Sequence, residues 1–124
     1  MKNKVLVVED YDDSREFIKY LLEDYGFDVI EATNGREAVE SVKNASPDLV
    51  LMDISMPEMD GLTATRKIRE EGRFSRLPII MLTAQSEGVK GQAIEAGCDA
   101  LLSKPIDLDD LRPVLNRFLA RSAA

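Results

Sequence analysis

Short apolar runs alternate five times with amphipathic segments along the chain, which predicts five strand–helix units. The predicted strands cover residues 5–8, 27–32, 49–52, 79–82 and 100–102. Three of these runs, VLVV, LVLM and IIML, are apolar throughout, as expected of parallel strands that are covered on both faces. The run FDVIEA alternates and carries charge, so we place it at an edge of the sheet.

The segments between the strands have the spacing of helices with one apolar face. The apolar positions of the first are Phe17, Ile18, Leu21, Leu22 and Tyr25, and those of the last are Leu108, Leu111, Val114, Leu115, Phe118 and Leu119. Gly26, Gly72 and Gly97 are expected at helix C-termini, and Asp107 at a helix N-cap. Right-handed crossovers then predict a doubly wound α/β sandwich of the flavodoxin-like type, with a five-stranded parallel sheet in the order 2-1-3-4-5.

The length and composition indicate one globular domain. The chain has 124 residues, of which 44% are hydrophobic and 31% are charged, and this balance supports unaided folding. We therefore expect a single domain over residues 1–124, with a core at about residues 4–119. A net charge of -7 disfavours direct binding to nucleic acids or to anionic membranes.

The absence of histidine, the single cysteine and the lack of long apolar runs limit the possible metal ligands and the cellular location of the protein. It has no histidine, so a bound metal is expected to have oxygen ligands. The single cysteine, Cys98, cannot form an intramolecular disulfide and is interpreted as a packing residue. The N-terminus does not resemble a signal peptide and no apolar run is long enough to span a membrane, so we expect a cytoplasmic location.

Five polar residues follow or end predicted strands, and parallel strands bring their C-termini to one rim of the sheet. They are Glu9, Asp10, Asp53, Thr83 and Lys104. The three carboxylates are expected to crowd together, and a cation would relieve their repulsion. Mg²⁺ prefers such oxygen ligands and keeps open positions for phosphate. The cluster therefore predicts Mg²⁺-assisted phosphoryl transfer in which Asp53 is the nucleophile, Lys104 offsets the phosphoryl charge and Thr83 donates a hydrogen bond.

Each of these residues taken alone is more often a solvated loop residue than a functional one. The functional interpretation depends on four strand ends that deliver compatible groups to the same rim. In the loop after Asp53, by contrast, Glu58, Asp60 and Gly61 are interpreted as turn residues. Gly61 is expected to supply a backbone conformation that other residues avoid, and we predict no chemistry for these three positions.

Four segments of the sequence, in this order and spacing, resemble bacterial two-component response-regulator receiver domains, including the single-domain chemotaxis type. They are VLVVED, PDLVLMDISMPEMDGL, PIIMLTA and GCDALLSKPID, and the resemblance extends over about residues 4–119. It implies that a histidine kinase or a histidine phosphotransfer protein passes a phosphoryl group from a phosphohistidine to this domain. It also implies self-catalysed phosphorylation and dephosphorylation without a separate substrate, and output through protein contacts.

The resemblance assigns a role to each residue of the acidic cluster. Asp53 corresponds to the phosphoacceptor and, together with Asp10, to a direct ligand of Mg²⁺ or Mn²⁺. Glu9 corresponds to a ligand that acts through water, and Ser55 to one that uses its backbone carbonyl.

Residues at the opposite side of the predicted site also have counterparts in the family. Thr83 corresponds to the switch hydroxyl, Lys104 to the phosphoryl-pairing lysine, and Pro105 to a proline whose preceding bond is typically cis. Leu101 occupies a variable switch position where the family usually has an aromatic ring, so the usual ring rotation is not expected. Ser55 and Gln85 occupy positions that the family varies to set the rate of dephosphorylation.

Two alternatives belong to other functional classes. An aspartyl phosphohydrolase of the haloacid dehalogenase type uses similar residues, but it needs an acid two positions after the nucleophile, where this chain has Ser55. Its nucleophile also follows the first strand, whereas Asp53 ends the third. A phosphorylation-independent interaction module is the second alternative, and the intact acidic set argues against it.

Overall fold

A parallel five-stranded sheet with helices on both faces forms the fold. The structure, a computed structural model, describes residues 2–84 and 88–119. The strands are β1 (Lys4–Val8), β2 (Asp28–Ala32), β3 (Leu49–Asp53), β4 (Ile79–Thr83) and β5 (Ala100–Ser103). The helices are α1 (Asp12–Asp24), α2 (Gly35–Ala45), α3 (Gly61–Glu70), α4 (Lys90–Ala96) and α5 (Leu108–Phe118), with a 3₁₀ turn at Gly72–Phe74. The strand order is β2-β1-β3-β4-β5, which confirms the predicted flavodoxin-like topology.

The central strands supply two cores, one on each face of the sheet. Alternate residues of a strand point to opposite faces, so each apolar run contributes to both layers. On one face, Val7 and Leu51 pack with residues of α1 and α5, including Leu22 and Leu115. On the other face, the strand residues pack with α2 and α3, including Val42 of α2 and Ile68 of α3. Every residue of β3 and β4 is buried, and each large apolar side chain contributes about 1.5–3 kcal/mol of burial free energy.

Strand β2 lies at the edge of the sheet, as its alternating sequence predicts. Its outer residues Asp28 and Glu31 are exposed, whereas Ala32 is buried. Phe27 directly precedes the strand and is buried in the core. The edge position leaves one side of β2 open to solvent, which explains why charged residues are tolerated along this strand.

Two expectations about the first helix and the glycines are wrong. Phe17 is 52% exposed, while Ile18 and Leu22 of the same helix are buried. Phe17 shares a helical row with the half-buried Leu21, four residues on, so it lies at the margin of the apolar face. Gly72 does not end a helix in a left-handed conformation but begins the 3₁₀ turn.

The other predicted helix ends are confirmed. Gly26 and Gly97 follow α1 and α4 with φ of 102° and 112°, a region that favours glycine. Asp107 caps α5, because its carboxylate accepts a hydrogen bond of 2.9 Å from the backbone N–H of Asp110. Within residues 2–84 and 88–119, no helix combines the length and the hydrophobicity that crossing a membrane requires.

Candidate phosphoryl and metal site

The sheet register brings the predicted site residues to one rim. Val8 of β1 is aligned with Met52 of β3, so the next residues, Glu9 and Asp53, lie side by side. Asp53 is in turn aligned with Leu82 of β4, one residue before Thr83. The parallel pairing of strands that are distant in sequence therefore assembles the cluster.

Three carboxylates converge at this rim. Glu9, Asp10 and Asp53 each offer an oxygen atom, and these atoms lie within 4.8 Å of one another. Glu9 and Asp53 are buried, at 1% and 5% exposure, whereas Asp10 is exposed. An all-oxygen donor set with one side open to solvent fits a hard divalent cation such as Mg²⁺, which retains several waters.

Lys104 reaches into the same cluster from the loop after β5. Its ammonium lies 2.6 Å from Oε1 of Glu9 and 3.2 Å from Oδ2 of Asp53. The second oxygen of Glu9 accepts a hydrogen bond of 3.2 Å from the backbone N–H of Tyr11. The ammonium thus bridges two carboxylates that would otherwise repel each other.

The electrostatics of the cluster favour a proton or a cation on Asp53. Burial, and then the charge of Glu9, raise the pKa of Asp53 to about 6, although Lys104 acts in the opposite direction. Burial favours the neutral form of Lys104, but hydrogen bonds and charges from Glu9 and Asp53 outweigh it and raise its pKa. The ammonium of Lys104 therefore only partly offsets the free-energy cost of the negative charge on Asp53.

Gly61 supports the site in a way that sequence reasoning missed. Its φ is not in the left-handed region, so the expected conformational reason is wrong. An ideal Cβ at this position would lie 2.2 Å from the backbone oxygen of Asp53, and the N–H of Gly61 donates a 2.8 Å hydrogen bond to the carbonyl of Ile54. Only glycine permits α3 to begin this close to the end of β3.

The rest of the loop after β3 is tied to neighbouring helices. Asp60 caps α3 through a 2.8 Å hydrogen bond from the N–H of Thr63. Glu58 is exposed, adopts a φ of 66° and pairs at the surface with Arg36 at the start of α2, which agrees with its interpretation as a solvated turn residue. Ser55, two residues after Asp53, is exposed, and its role as a carbonyl ligand stays a prediction.

The predicted switch residues lie beside the cluster. Thr83 is buried at 6% exposure, and its carbonyl accepts a 2.8 Å hydrogen bond from the N–H of Lys104. The Lys104–Pro105 peptide bond is cis, as the family resemblance implies. Leu101 is half-buried and packs against a small cluster that contains Ile54 and Met81.

The sequence also singled out Gln85 and Cys98. Gln85 lies outside the residues that the structure describes. Cys98 is half-buried, and its burial raises the pKa of the thiol. A thiol that is harder to ionise is less reactive, in agreement with a packing role.

A groove lies next to the cluster, between α1 and the loop after β5. Its volume is about 320 Å³, and it is lined by Ser14, Phe17, Ile18, Lys104, Pro105 and Ile106. Tyr20, on the same helix as Phe17, and Tyr11, directly before that helix, are also exposed, at 65% and 62%. The cluster is thus flanked by an apolar surface that a protein partner can contact.

Comparisons with known proteins agree on the family. The profile described as "Response regulator receiver domain" matches residues 5–116. The chemotaxis protein CheY of Bacillus subtilis is 41% identical over 121 residues, which are 96% of this chain and 99% of CheY. The response regulator Rre1 of Synechocystis sp. is 42% identical over 122 residues, which are 97% of this chain. This chain spans about half of Rre1, at 53% of its length.

Solved structures give the same result. The receiver domain of the sensor histidine kinase PA1611 from Pseudomonas aeruginosa has a TM-score of 0.90 and 33% identity, over 97% of this chain and 99% of that one. Its crystal structure has a magnesium ion coordinated in the active site cleft. The family profile, the relatives and the shared topology lead to one conclusion: this chain belongs to the response regulator receiver domain family of two-component signalling proteins.

Proposed function

We propose that this receiver accepts a phosphoryl group on Asp53 from the phosphohistidine of a histidine kinase or histidine phosphotransfer protein. One observation carries the proposal: the buried carboxylate of Asp53 lies among two further carboxylates, with the ammonium of Lys104 at 3.2 Å. Asp10 and Asp53 would hold Mg²⁺ or Mn²⁺ directly, Glu9 through water and Ser55 through its carbonyl. The bound cation would offset negative charge on the phosphoryl oxygens. The magnesium bound by the PA1611 receiver supports this assignment.

The chemistry of the protein residues follows from their positions. An oxygen of ionised Asp53 attacks phosphorus, the bond from phosphorus to the donor imidazole nitrogen breaks, and an acyl phosphate forms. Lys104 then exchanges its carboxylate contacts for a phosphoryl oxygen. Thr83, at the end of the neighbouring strand, donates its hydroxyl hydrogen to another of these oxygens.

The surroundings of the site favour a protein as the donor. The apolar groove beside Lys104 and the exposed ring of Phe17 offer a contact surface within reach of the cluster. We propose that residues 1–124 act as one receiver domain in the cytoplasm. Its output is altered contact with a target protein, because the charge of -7 does not favour nucleic acid or an anionic membrane.

Phosphorylation and dephosphorylation would be catalysed by the domain's own residues, without a separate substrate. The phosphohydrolase alternative lacks support, because the comparisons place the chain among receivers and position 55 carries serine. Multiple turnover of phosphate esters would revive that alternative.

The first prediction tests Asp53 as the phosphoacceptor. Acetyl phosphate with Mg²⁺ is expected to add one phosphoryl group to the wild type, measured by intact mass spectrometry. Asp53→Asn removes the nucleophile and should abolish labelling, as should EDTA. Asp109→Asn, at an exposed position of α5, removes the same charge and should label normally. Normal labelling of Asp53→Asn, or labelling that is indifferent to EDTA, contradicts the proposal.

The second prediction concerns the switch and is checked by amide NMR with and without beryllofluoride, a phosphoryl mimic. Thr83→Ala removes the hydroxyl that would donate a hydrogen bond to the phosphoryl group. This variant should therefore lose most of the amide chemical-shift changes that beryllofluoride causes around α4. Leu101→Ala should keep these changes and lose about 2 kcal/mol of packing free energy, since Leu101 is only half-buried. The account fails if Thr83→Ala responds like the wild type while folded Leu101→Ala does not respond.

A further inference from the structure

Arg15 joins the acidic loop to two neighbouring elements. The residue lies in the first turn of α1, and its side chain is only 12% exposed. One guanidinium nitrogen donates a 2.9 Å hydrogen bond to the backbone carbonyl of Glu9. The others donate to Asp12 at 2.7 Å and to Glu31 of β2 at 3.1 Å. A single side chain therefore links the loop after β1 to the helix and to the edge strand.

We propose that Arg15 is a positioning residue for the metal- and phosphoryl-binding carboxylates, an inference that rests on the proposed function. The carbonyl that it holds belongs to the peptide unit between Glu9 and Asp10, so holding it restricts the ψ angle of Glu9 and the φ angle of Asp10. The N–H of Glu9 is bonded at 3.1 Å to the carbonyl of Ala32. With Arg15 on the carbonyl side, the backbone of Glu9 is held from both ends.

The contact requires a guanidinium. Its planar fork presents donors in three directions, and Arg15 uses them for three separate acceptors. The ammonium of lysine is a compact charge that cannot reach these acceptors together from the same position. Arg15→Lys therefore keeps the positive charge but cannot form the three hydrogen bonds at once.

If Arg15 positions the carboxylates, its removal should weaken Mg²⁺ binding. If Arg15 acts only through its positive charge, its removal should strengthen Mg²⁺ binding. A cation near a metal site repels the metal, so its removal should tighten binding if charge alone matters. Asp12 and Glu31 largely compensate the charge of Arg15, because both carboxylates contact its guanidinium. Loss of the bond to the Glu9 carbonyl should instead loosen the loop and weaken binding, as is usual for residues that orient metal ligands.

The experiment is calorimetric titration of Mg²⁺ alone into the wild type, Arg15→Ala, Arg15→Lys and Lys19→Ala. Lys19 is the matched control, because it lies on the same helix and pairs with Glu31 at 3.2 Å. Both Arg15 variants should bind Mg²⁺ about tenfold more weakly. Lys19→Ala should stay within about twofold of the wild type, because exposed charges are screened.

A second readout separates binding from chemistry. With acetyl phosphate, Arg15→Ala should be labelled much less than the wild type at low Mg²⁺ concentration. Its labelling should approach that of the wild type as the Mg²⁺ concentration is raised. Unchanged or tighter Mg²⁺ binding by folded Arg15→Ala would overturn the positioning role. Wild-type Mg²⁺ affinity in Arg15→Lys would also overturn it. If Arg15→Ala does not fold, the Arg15→Lys variant provides the test. Absence of labelling in the wild type would instead refute the proposed function and leave the Mg²⁺ titration interpretable.

Discussion

Gly61→Ala is expected to lower the free energy of unfolding by about 3 kcal/mol or more. The new Cβ would lie 2.2 Å from the backbone oxygen of Asp53 and 3.0 Å from the Cα of Ile54. Both atoms belong to the backbone, so no side-chain rotation relieves the clash, and α3 must move away from β3. The same movement should displace Asp53 and weaken Mg²⁺ binding.

Gly72→Ala is the matched control for this substitution. Among the residues that the structure describes, and apart from its two chain neighbours, none has a heavy atom within 4 Å of an ideal Cβ at Gly72, and the φ of Gly72 is not in the left-handed region. Its stability should therefore stay within about 0.5 kcal/mol of the wild type. Urea denaturation in EDTA measures both variants, and equal midpoints for Gly61→Ala and Gly72→Ala would show that the close approach is not required.

Asp53→Asn is expected to make the metal-free protein more stable at neutral pH, although it abolishes phosphorylation. Burial and the charge of Glu9 raise the pKa of Asp53 from 3.8 to about 6, so the fold disfavours its ionised form. That net pKa shift, which already includes the opposing effect of Lys104, corresponds to at most about 3 kcal/mol at neutral pH.

The sign of the pH dependence follows from proton binding. Between pH 3.8 and about 6, the folded protein binds more protons at Asp53 than the unfolded chain does. The contribution of this residue to stability therefore falls as the pH rises through this range, and stays constant above it. The stability difference between Asp53→Asn and the wild type should be widest at neutral pH and should close as the pH falls from about 6 towards 4.

Chemical denaturation at several pH values in EDTA measures this difference. Asp109→Asn, at the surface of α5, should change stability by less than about 1 kcal/mol throughout. Added Mg²⁺ should reverse the order of wild type and Asp53→Asn, because a cation that binds only the folded state stabilises it by mass action. A difference that does not change with pH, or a less stable Asp53→Asn at neutral pH, would refute the electrostatic argument.

Much of the architecture follows from the sequence by local rules. The runs VLVV, LVLM and IIML predict buried parallel strands, and the charged run FDVIEA predicts an edge strand, because strand side chains alternate between faces. Parallel strands end at one rim, so the order of elements also indicated that Glu9, Asp53 and Lys104 would lie close together. These inferences need only periodicity and strand direction.

The tertiary structure decided the features that depend on how elements approach each other. The rotation of α1 left Phe17 at the margin of its apolar face, a distinction that spacing alone does not make. The close approach of α3 to β3 leaves no room for a Cβ at position 61, which therefore requires glycine. Lys104 pairs with Glu9 across 95 positions, and Arg15 reaches the carbonyl of Glu9. Such contacts depend on distances of a few ångströms between separate elements, which local propensity and periodicity do not specify.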